Sequence, residues 1–188
     1  GIKWADLNQD GFEDLVVNGM DSVLNNRTFI YKSLGNGKFI FMPNTIFPLS
    51  AGCVDIADYN NDGFKDIAVT GMDSIGGHHA YIYKNSGGFQ FTKLHTQLSG
   101  IHFGELKWGD YNKDQLPDLV INGIGNNEFR VSIYKNMGGD SFQMQPFYMK
   151  GSGGTVDWAD LDKDGWPDLL VTGYDSTSGN SLDRKSVV

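Results

Sequence analysis

Asp58-Tyr59-Asn60-Asn61-Asp62-Gly63-Phe64-Lys65-Asp66 sets Asp, Asn and Asp at its first, third and fifth positions, Gly at the sixth and Asp at the ninth. Alternate side chains of a tight loop turn inward together. Three inward carboxylates repel one another severely unless a cation lies between them. Hard oxygen donors at positions one, three, five, seven and nine, the seventh a backbone carbonyl, with Gly at six for the sharp turn, form the first part of a Ca²⁺ loop. The pattern recurs at Asp6–Asp14, Asp110–Asp118 and Asp160–Asp168.

The first Asp of each loop falls at Asp6, Asp58, Asp110 and Asp160, spaced 52, 52 and 50 residues apart. Self-similarity near that period signals a repeat architecture, and propeller blades are of this size. Before each loop stands a short strand: 2–5, 54–57, 103–109 and 155–159. After it comes an apolar run ending at Gly: Leu15-Val16-Val17 to Gly19, Ile67-Ala68-Val69 to Gly71, Leu119-Val120-Ile121 to Gly123, and Leu169-Leu170-Val171 to Gly173. Short apolar runs bounded by turn residues read as buried strands. A third strand carries Ile30-Tyr31-Lys32, Ile82-Tyr83-Lys84 and Ile133-Tyr134-Lys135. After a Gly-rich turn, a fourth strand is expected from Phe39, Phe89 and Phe142. Four short strands per unit predict an all-β chain of four-stranded antiparallel propeller blades. The blades span about 1–49, 50–100, 101–150 and 151–188. The last is incomplete: Arg184–Val188 stands just before an expected Tyr-Lys. Three whole blades and part of a fourth imply a fragment of a six- to eight-bladed ring, closed by further blades of the same propeller or by a second copy.

The bulk properties agree. Gly is abundant at 25 residues and 39% of the chain is hydrophobic, as in a turn-rich β protein. Thirteen of the 23 acidic residues are aspartates of the four loops. Four divalent cations would bring the formal charge of −8 to about zero. The acidity is therefore mostly site charge, and it argues against nucleic acid as a partner. The single cysteine, Cys53, excludes an internal disulfide and reads as a small buried residue. No stretch is long and apolar enough for membrane insertion.

In these features the chain resembles the FG-GAP/VCBS repeat family, best known from the N-terminal propellers of integrin α subunits. The resemblance covers essentially the whole chain. Phe103-Gly104 supplies an "FG"; Asn18-Gly19-Met20, Thr70-Gly71-Met72, Asn122-Gly123-Ile124 and Thr172-Gly173-Tyr174 replace the "GAP". The resemblance implies up to four Ca²⁺ ions and their ligands. These are Asp6, Asn8, Asp10, Asp14 and the Phe12 carbonyl; Asp58, Asn60, Asp62, Asp66 and the Phe64 carbonyl; Asp110, Asn112, Asp114, Asp118 and the Leu116 carbonyl; and Asp160, Asp162, Asp164, Asp168 and the Trp166 carbonyl. Gln115 replaces the loop Gly in the third copy. A left-handed backbone there would cost about 1 kcal/mol, so the third site is expected to be the weakest. The extra carboxylate of Asp162 makes the fourth the tightest. An EF-hand would need Glu at loop position twelve, where this chain has Val17, Val69, Ile121 and Val171.

Sites repeated in every blade read as metal staples rather than catalytic carboxylate pairs. Ca²⁺ affinities of extracellular modules, about 10⁻⁴–10⁻³ M, place the protein outside the cell or at its surface. The metal loops share one end of the blades with the turns between third and fourth strands. The other end carries the second-to-third loops (20–27, 72–79, 124–128, 174–183) and the blade connections (43–50, 95–100, 146–154), expected to be longer and more varied. Function in repeat folds sits on such loops. The reading is a calcium-stabilised binding or adhesion module for an extracellular protein or glycan. The alternative is a propeller domain of a secreted polysaccharide-degrading enzyme. Met20-Asp21-Ser22, Met72-Asp73-Ser74 and Tyr174-Asp175-Ser176 are read as turn-holding. Trp4, Ile56, Trp108 and Trp158, two residues ahead of each loop, are read as packing blade on blade. His78 and His79 are read as solvated loop residues.

Overall fold

The computed structural model describes residues 1–43, 46–125, 128–146, 149–150, 153–174 and 181–186. All regular structure among them is strand. The first sheet runs β1 (Ile2–Ala5), β2 (Asp14–Met20), β3 (Asn26–Ser33), β4 (Phe39–Met42). The second runs β5 (Val54–Ala57), β6 (Asp66–Met72), β7 (His78–Asn85), β8 (Phe91–Lys93). The third holds β9 (His102–Gly109), β10 (Asp118–Gly125), β11 (Glu128–Asn136) and β12 (Phe142–Met144), joined by the short β13 (Met149–Lys150). The fourth holds β14 (Val156–Ala159), β15 (Asp168–Tyr174) and β16 (Ser181–Ser186). Each sheet is an antiparallel meander in chain order, as expected of propeller blades.

In the second and third sheets the apolar runs are continuous because β6 and β10 are buried on both faces, whereas β2 alternates buried and half-buried positions. Successive side chains alternate: Ile67 and Val69 face the first sheet, whereas Ala68 faces the third. Three cores result, one per seam. Leu7, Val16, Ile30, Leu49, Val54, Ile67, Val69 and Tyr83 fill the first. Tyr59, Ala68, Ile82, Leu106, Trp108, Leu119, Ile121 and Tyr134 fill the second. Val120, Ile133, Val156, Leu169 and Val171 fill the third. Each fully buried Ile or Leu contributes about 1.5–3 kcal/mol.

Aromatic contacts mark the seams. Trp108 stacks on Tyr59 of the blade before it (6.0 Å between centroids), and Trp158 stacks on Tyr111 (5.8 Å). Ile56 packs against the first seam core, which includes Leu7. Trp4 departs from this pattern and is 52% exposed, lying instead against Phe39 of its own sheet. A tyrosine latch repeats too. Tyr83 Oη accepts the Phe47 N–H (2.8 Å) and Tyr134 Oη accepts the Ser99 N–H (2.7 Å), so each third strand grips the connection leading into its own blade.

Several details differ from the sequence reading. The fourth strand of the second sheet begins at Phe91, not Phe89. Phe89 lies at φ +63° in a left-handed turn with Gly87 and Gly88. His78 and His79 lie in β7 rather than a loop, and β3 also starts early. The second-to-third loops of the first two sheets therefore shrink to residues 21–25 and 73–77 and are not longer than the acidic loops. Met149–Lys150 adds a fifth strand to the third sheet by pairing with β11. Ser186 faces Leu169 in the register that Tyr134 holds against Leu119, so it occupies the place of the expected tyrosine. Val187, Val188, Asp175 and Ser176 lie outside the described residues.

Candidate metal centres

The four loops share one backbone design. The first aspartate caps the loop: Asp6 Oδ2 accepts the Gly11 N–H (2.8 Å), Asp58 that of Gly63 (2.9 Å), Asp110 that of Gln115 (2.8 Å) and Asp160 that of Gly165 (3.0 Å). The third residue (Asn8, Asn60, Asn112, Asp162) accepts the N–H of the fifth. The fifth (Asp10, Asp62, Asp114, Asp164) accepts the N–H of the seventh (Phe12, Phe64, Leu116, Trp166). Position six is left-handed in every loop, with φ of +84° at Gly11, +91° at Gly63, +71° at Gln115 and +88° at Gly165. Gln115 therefore carries the strain that its sequence position suggested.

The ninth residue is the deepest. Asp14, Asp66 and Asp118 are 0% exposed and Asp168 is 2%. Asp66 receives the N–H of Tyr59 from its own loop (3.1 Å) and of Asn85 from the end of β7 (2.8 Å). Asp14 does the same with Leu7 and Ser33. The Asn136 N–H reaches Asp118, and the Leu161 N–H reaches Asp168. Burial, with Asp62 and Asp58 adding, pushes the Asp66 carboxyl up to about 7 against those N–H bonds. Asp118 is raised to about 6 by burial, with Asp114 and Asp110 adding. Asp14 is raised for the same reasons.

This donor set fits a hard divalent cation: oxygen ligands only, a buried anionic floor, and neighbouring carboxylates that destabilise one another. The loops differ in how far the oxygens are gathered. Among the described residues, only Asp160, Asp162 and Asp168 bring three acidic groups with oxygens within 4.8 Å of one another. Elsewhere the third loop position is an amide, and the carboxylate at the fifth has other partners. Asp10 pairs with Lys32 (2.9 Å) and Asp114 with Lys135 (3.4 Å), while Asp62 accepts the Asn60 amide (2.9 Å).

Around the loops lie residues that motif reading missed. Asn85 Nδ2 donates to the Leu7 carbonyl of the preceding blade (2.8 Å), and Asn136 Nδ2 to that of Tyr59 (2.8 Å). The recurring Tyr-Lys-Asn at 83–85 and 134–136 was the available signal. Position four links loop to loop. Gln9 Nε2 donates to the Gly63 carbonyl (2.8 Å) and Asn61 Nδ2 to the Gln115 carbonyl (2.9 Å).

A family model described as an FG-GAP-like repeat matches residues 6–69, 58–121 and 110–171. The chain belongs to the FG-GAP repeat family. Each match runs from one acidic loop into the second strand of the next blade, so the FG-GAP period is the blade period found in the structure. No curated protein matches the chain. Among solved structures, a lectin of Agrocybe aegerita, described as specifically recognising non-reducing terminal N-acetylglucosamine, superposes with a TM-score of 0.60 at 21% identity. The alignment covers 97% of this FG-GAP chain and 50% of the lectin chain. That likeness shows the fold; this chain spans about half the lectin's length.

At the opposite end of the FG-GAP blades, Asp21 Oδ1 accepts the N–H groups of Val23 and Asn25. Asp73 Oδ1 likewise accepts those of Ile75 and Gly77. Both aspartates hold their turns, as read from the sequence. Beside them stand large apolar side chains in water: Val23 (72% exposed), Leu24 (76%), Ile75 (90%) and Phe103 (61%).

Proposed function

We propose that this chain is a calcium-stabilised, extracellular binding module that recognises a glycan or protein with the end of the blades opposite the acidic loops. One observation carries the assignment of the binding end. Val23, Leu24 and Ile75 are apolar and exposed on loops whose backbones are held by Asp21 and Asp73, and Phe103 is exposed near the start of β9. Val23, Leu24 and Ile75 are 72–90% exposed, against 44–53% for Phe12, Met137, Leu161 and Trp166 at the acidic-loop end, and apolar side chains so fully in water suit an interaction surface. The lectin likeness supports a glycan among the candidate ligands. The crowded oxygen sets at the other end support the calcium reading.

At about 1 mM free Ca²⁺ and a dissociation constant near 10⁻⁴ M, each occupied loop adds about 1.4 kcal/mol. Four loops add about 6 kcal/mol, comparable with the net stability of a domain. Melting at 1 mM Ca²⁺ and again with excess chelator tests this: the midpoint drops by more than 10 °C on chelation, and an unchanged midpoint refutes the calcium reading. A glycan array probed with Ca²⁺ tests recognition. Loss of the captured glycan on Ile75→Ser with Leu24→Ser supports the assigned end, and undiminished capture refutes it.

A polysaccharide-degrading enzyme is the second reading. Its support is a relay on β7, in which His79 Nε2 meets Asp73 (2.8 Å) and His79 Nδ1 meets the Tyr81 hydroxyl (2.9 Å). In the first blade the same place holds Asp21 paired with Arg27 (2.9 Å). The contact between the loop Asp and the side chain at this strand position is thus a recurring loop brace, which favours binding. Turnover of a captured glycan would reverse that preference.

A further inference from the structure

The fourth loop position has no part in the ligand pattern. Gln9 and Asn61 nevertheless stand there in left-handed backbone, at φ +62° and +56°, each between the third and fifth ligand positions of its own loop. Their side chains cross to the next blade. The Gln9 amide holds the carbonyl of Gly63, whose N–H is bonded to Asp58. The Asn61 amide holds the carbonyl of Gln115, whose N–H is bonded to Asp110. Each bridge therefore ends on the residue next to the seventh position, whose carbonyl completes the oxygen set. The third link differs: Lys113 Nζ lies 4.4 Å from the Trp166 ring centroid, a cation–π contact.

A bridge of this kind forms only when both loops hold their folded geometry. A cation that orders the second loop presents the Gly63 carbonyl at a fixed place. Gln9 then has a partner, and Asn8 and Asp10 on either side of it have less freedom to lose. By linkage the effect is reciprocal. The geometry points to Gln9 and Asn61 as positioning residues that couple cation binding between adjacent loops, so that a filled loop raises the affinity of its neighbour. The inference rests on the calcium reading above.

The test is a Ca²⁺ titration of the full chain followed by NMR, with the amides of Gly11, Gly63 and Gly165 reporting their own loops. Gln9→Gly removes the bridge at a position where glycine keeps the left-handed backbone without strain. We expect the Gly63 midpoint, in the neighbouring loop, to move to about threefold higher Ca²⁺, the scale of one exposed hydrogen bond. The Gly165 midpoint stays in place. Gln9→Asn, which carries the amide that Asn61 uses, returns the Gly63 midpoint towards the wild-type value. A Gly63 midpoint unmoved by Gln9→Gly overturns the coupling and leaves the calcium reading intact. If Ca²⁺ shifts none of the three glycine amides in the wild-type chain, the calcium reading itself fails and the coupling with it.

Discussion

The two ends of the blades follow opposite rules. At the loop end the same bond recurs at the same position in blade after blade: the aspartate cap on the sixth N–H, the buried ninth carboxylate, the Asn amide on the preceding blade's carbonyl. At the opposite end the loop aspartates still hold their turns, but the side chains around them change. Arg27 in the first blade becomes His79 in the second, and the exposed tips are Val23 and Leu24 in one loop and Ile75 in the other. Repetition with buried partners is what a scaffold requires, because each seam must be closed in the same way. Variation on a held backbone leaves the chemistry of the tips free to differ.

If that contrast is right, the largest loss comes from the ninth loop position. Asp66→Ala removes the acceptor for two buried N–H groups, from Tyr59 and Asn85, in a residue with no exposure. A loss of about 3–5 kcal/mol is expected, read from urea unfolding. A loss below about 1 kcal/mol would show that the loop end is not the scaffold. Asn136→Ala comes next. It takes donors from the Tyr59 and Pro117 carbonyls and costs about 2 kcal/mol. Gln115→Gly runs in the other direction. The residue stands at φ +71°, so glycine there stabilises by about 1 kcal/mol. An unchanged unfolding midpoint would mean that the loop tolerates the strain by other means.

Most of this scaffold was legible in the sequence because its design repeats. Four acidic loops in phase fix the period, and the Gly-bounded apolar runs locate the second strand of each blade. What escaped the sequence depends on partners far along the chain. The Gln9–Gly63 bridge spans 54 residues, and nothing local in Asn8-Gln9-Asp10 announces it. His78 and His79 read as loop residues by their polarity alone, which does not distinguish an exposed side chain from a paired one. In fact His78 stacks on His102 of the next blade at 4.3 Å, and His79 is tied to Asp73 and Tyr81. Phe89 looked like the start of a strand because aromatics favour strands, but the turn around it required three successive left-handed residues. Trp4 sits at the same loop offset as Trp108 and Trp158, yet those two stack on a preceding blade's tyrosine and Trp4 is half exposed against Phe39 of its own sheet.

The histidine pair gives a smaller effect at the variable end. His78 is pulled below its ordinary value of 6.5 by burial, with the charges of His102 and His79 adding and Asp73 opposing. A basic group with a lowered folded value favours the folded state while neutral. Its contribution is therefore present above the ordinary value of 6.5 and is lost as pH falls from there through the lower folded value. Replacing His78 with Phe keeps an aromatic ring against His102 and removes the titration. The variant should lose less stability between pH 7 and pH 5.5 than the wild type. An identical loss in both would place the acid sensitivity elsewhere.

The smallest expected effect is the one that separates the two ends most cleanly. Ile75 is 90% exposed, and its backbone N–H is held by Asp73 whatever its side chain. Ile75→Ser should therefore change unfolding free energy by less than about 0.5 kcal/mol, the usual limit for a surface substitution away from caps and cores. Asp73→Ala, two residues away, removes the acceptor for the Ile75 and Gly77 N–H groups and the partner of His79; it should cost about 1–2 kcal/mol. The ratio of the two decides the point. A variable end built as a held backbone carrying free side chains demands a large cost at Asp73 and almost none at Ile75. Equal costs would mean that the tips are packed into the fold, and their exposed apolar surface would then have no claim to be a recognition surface.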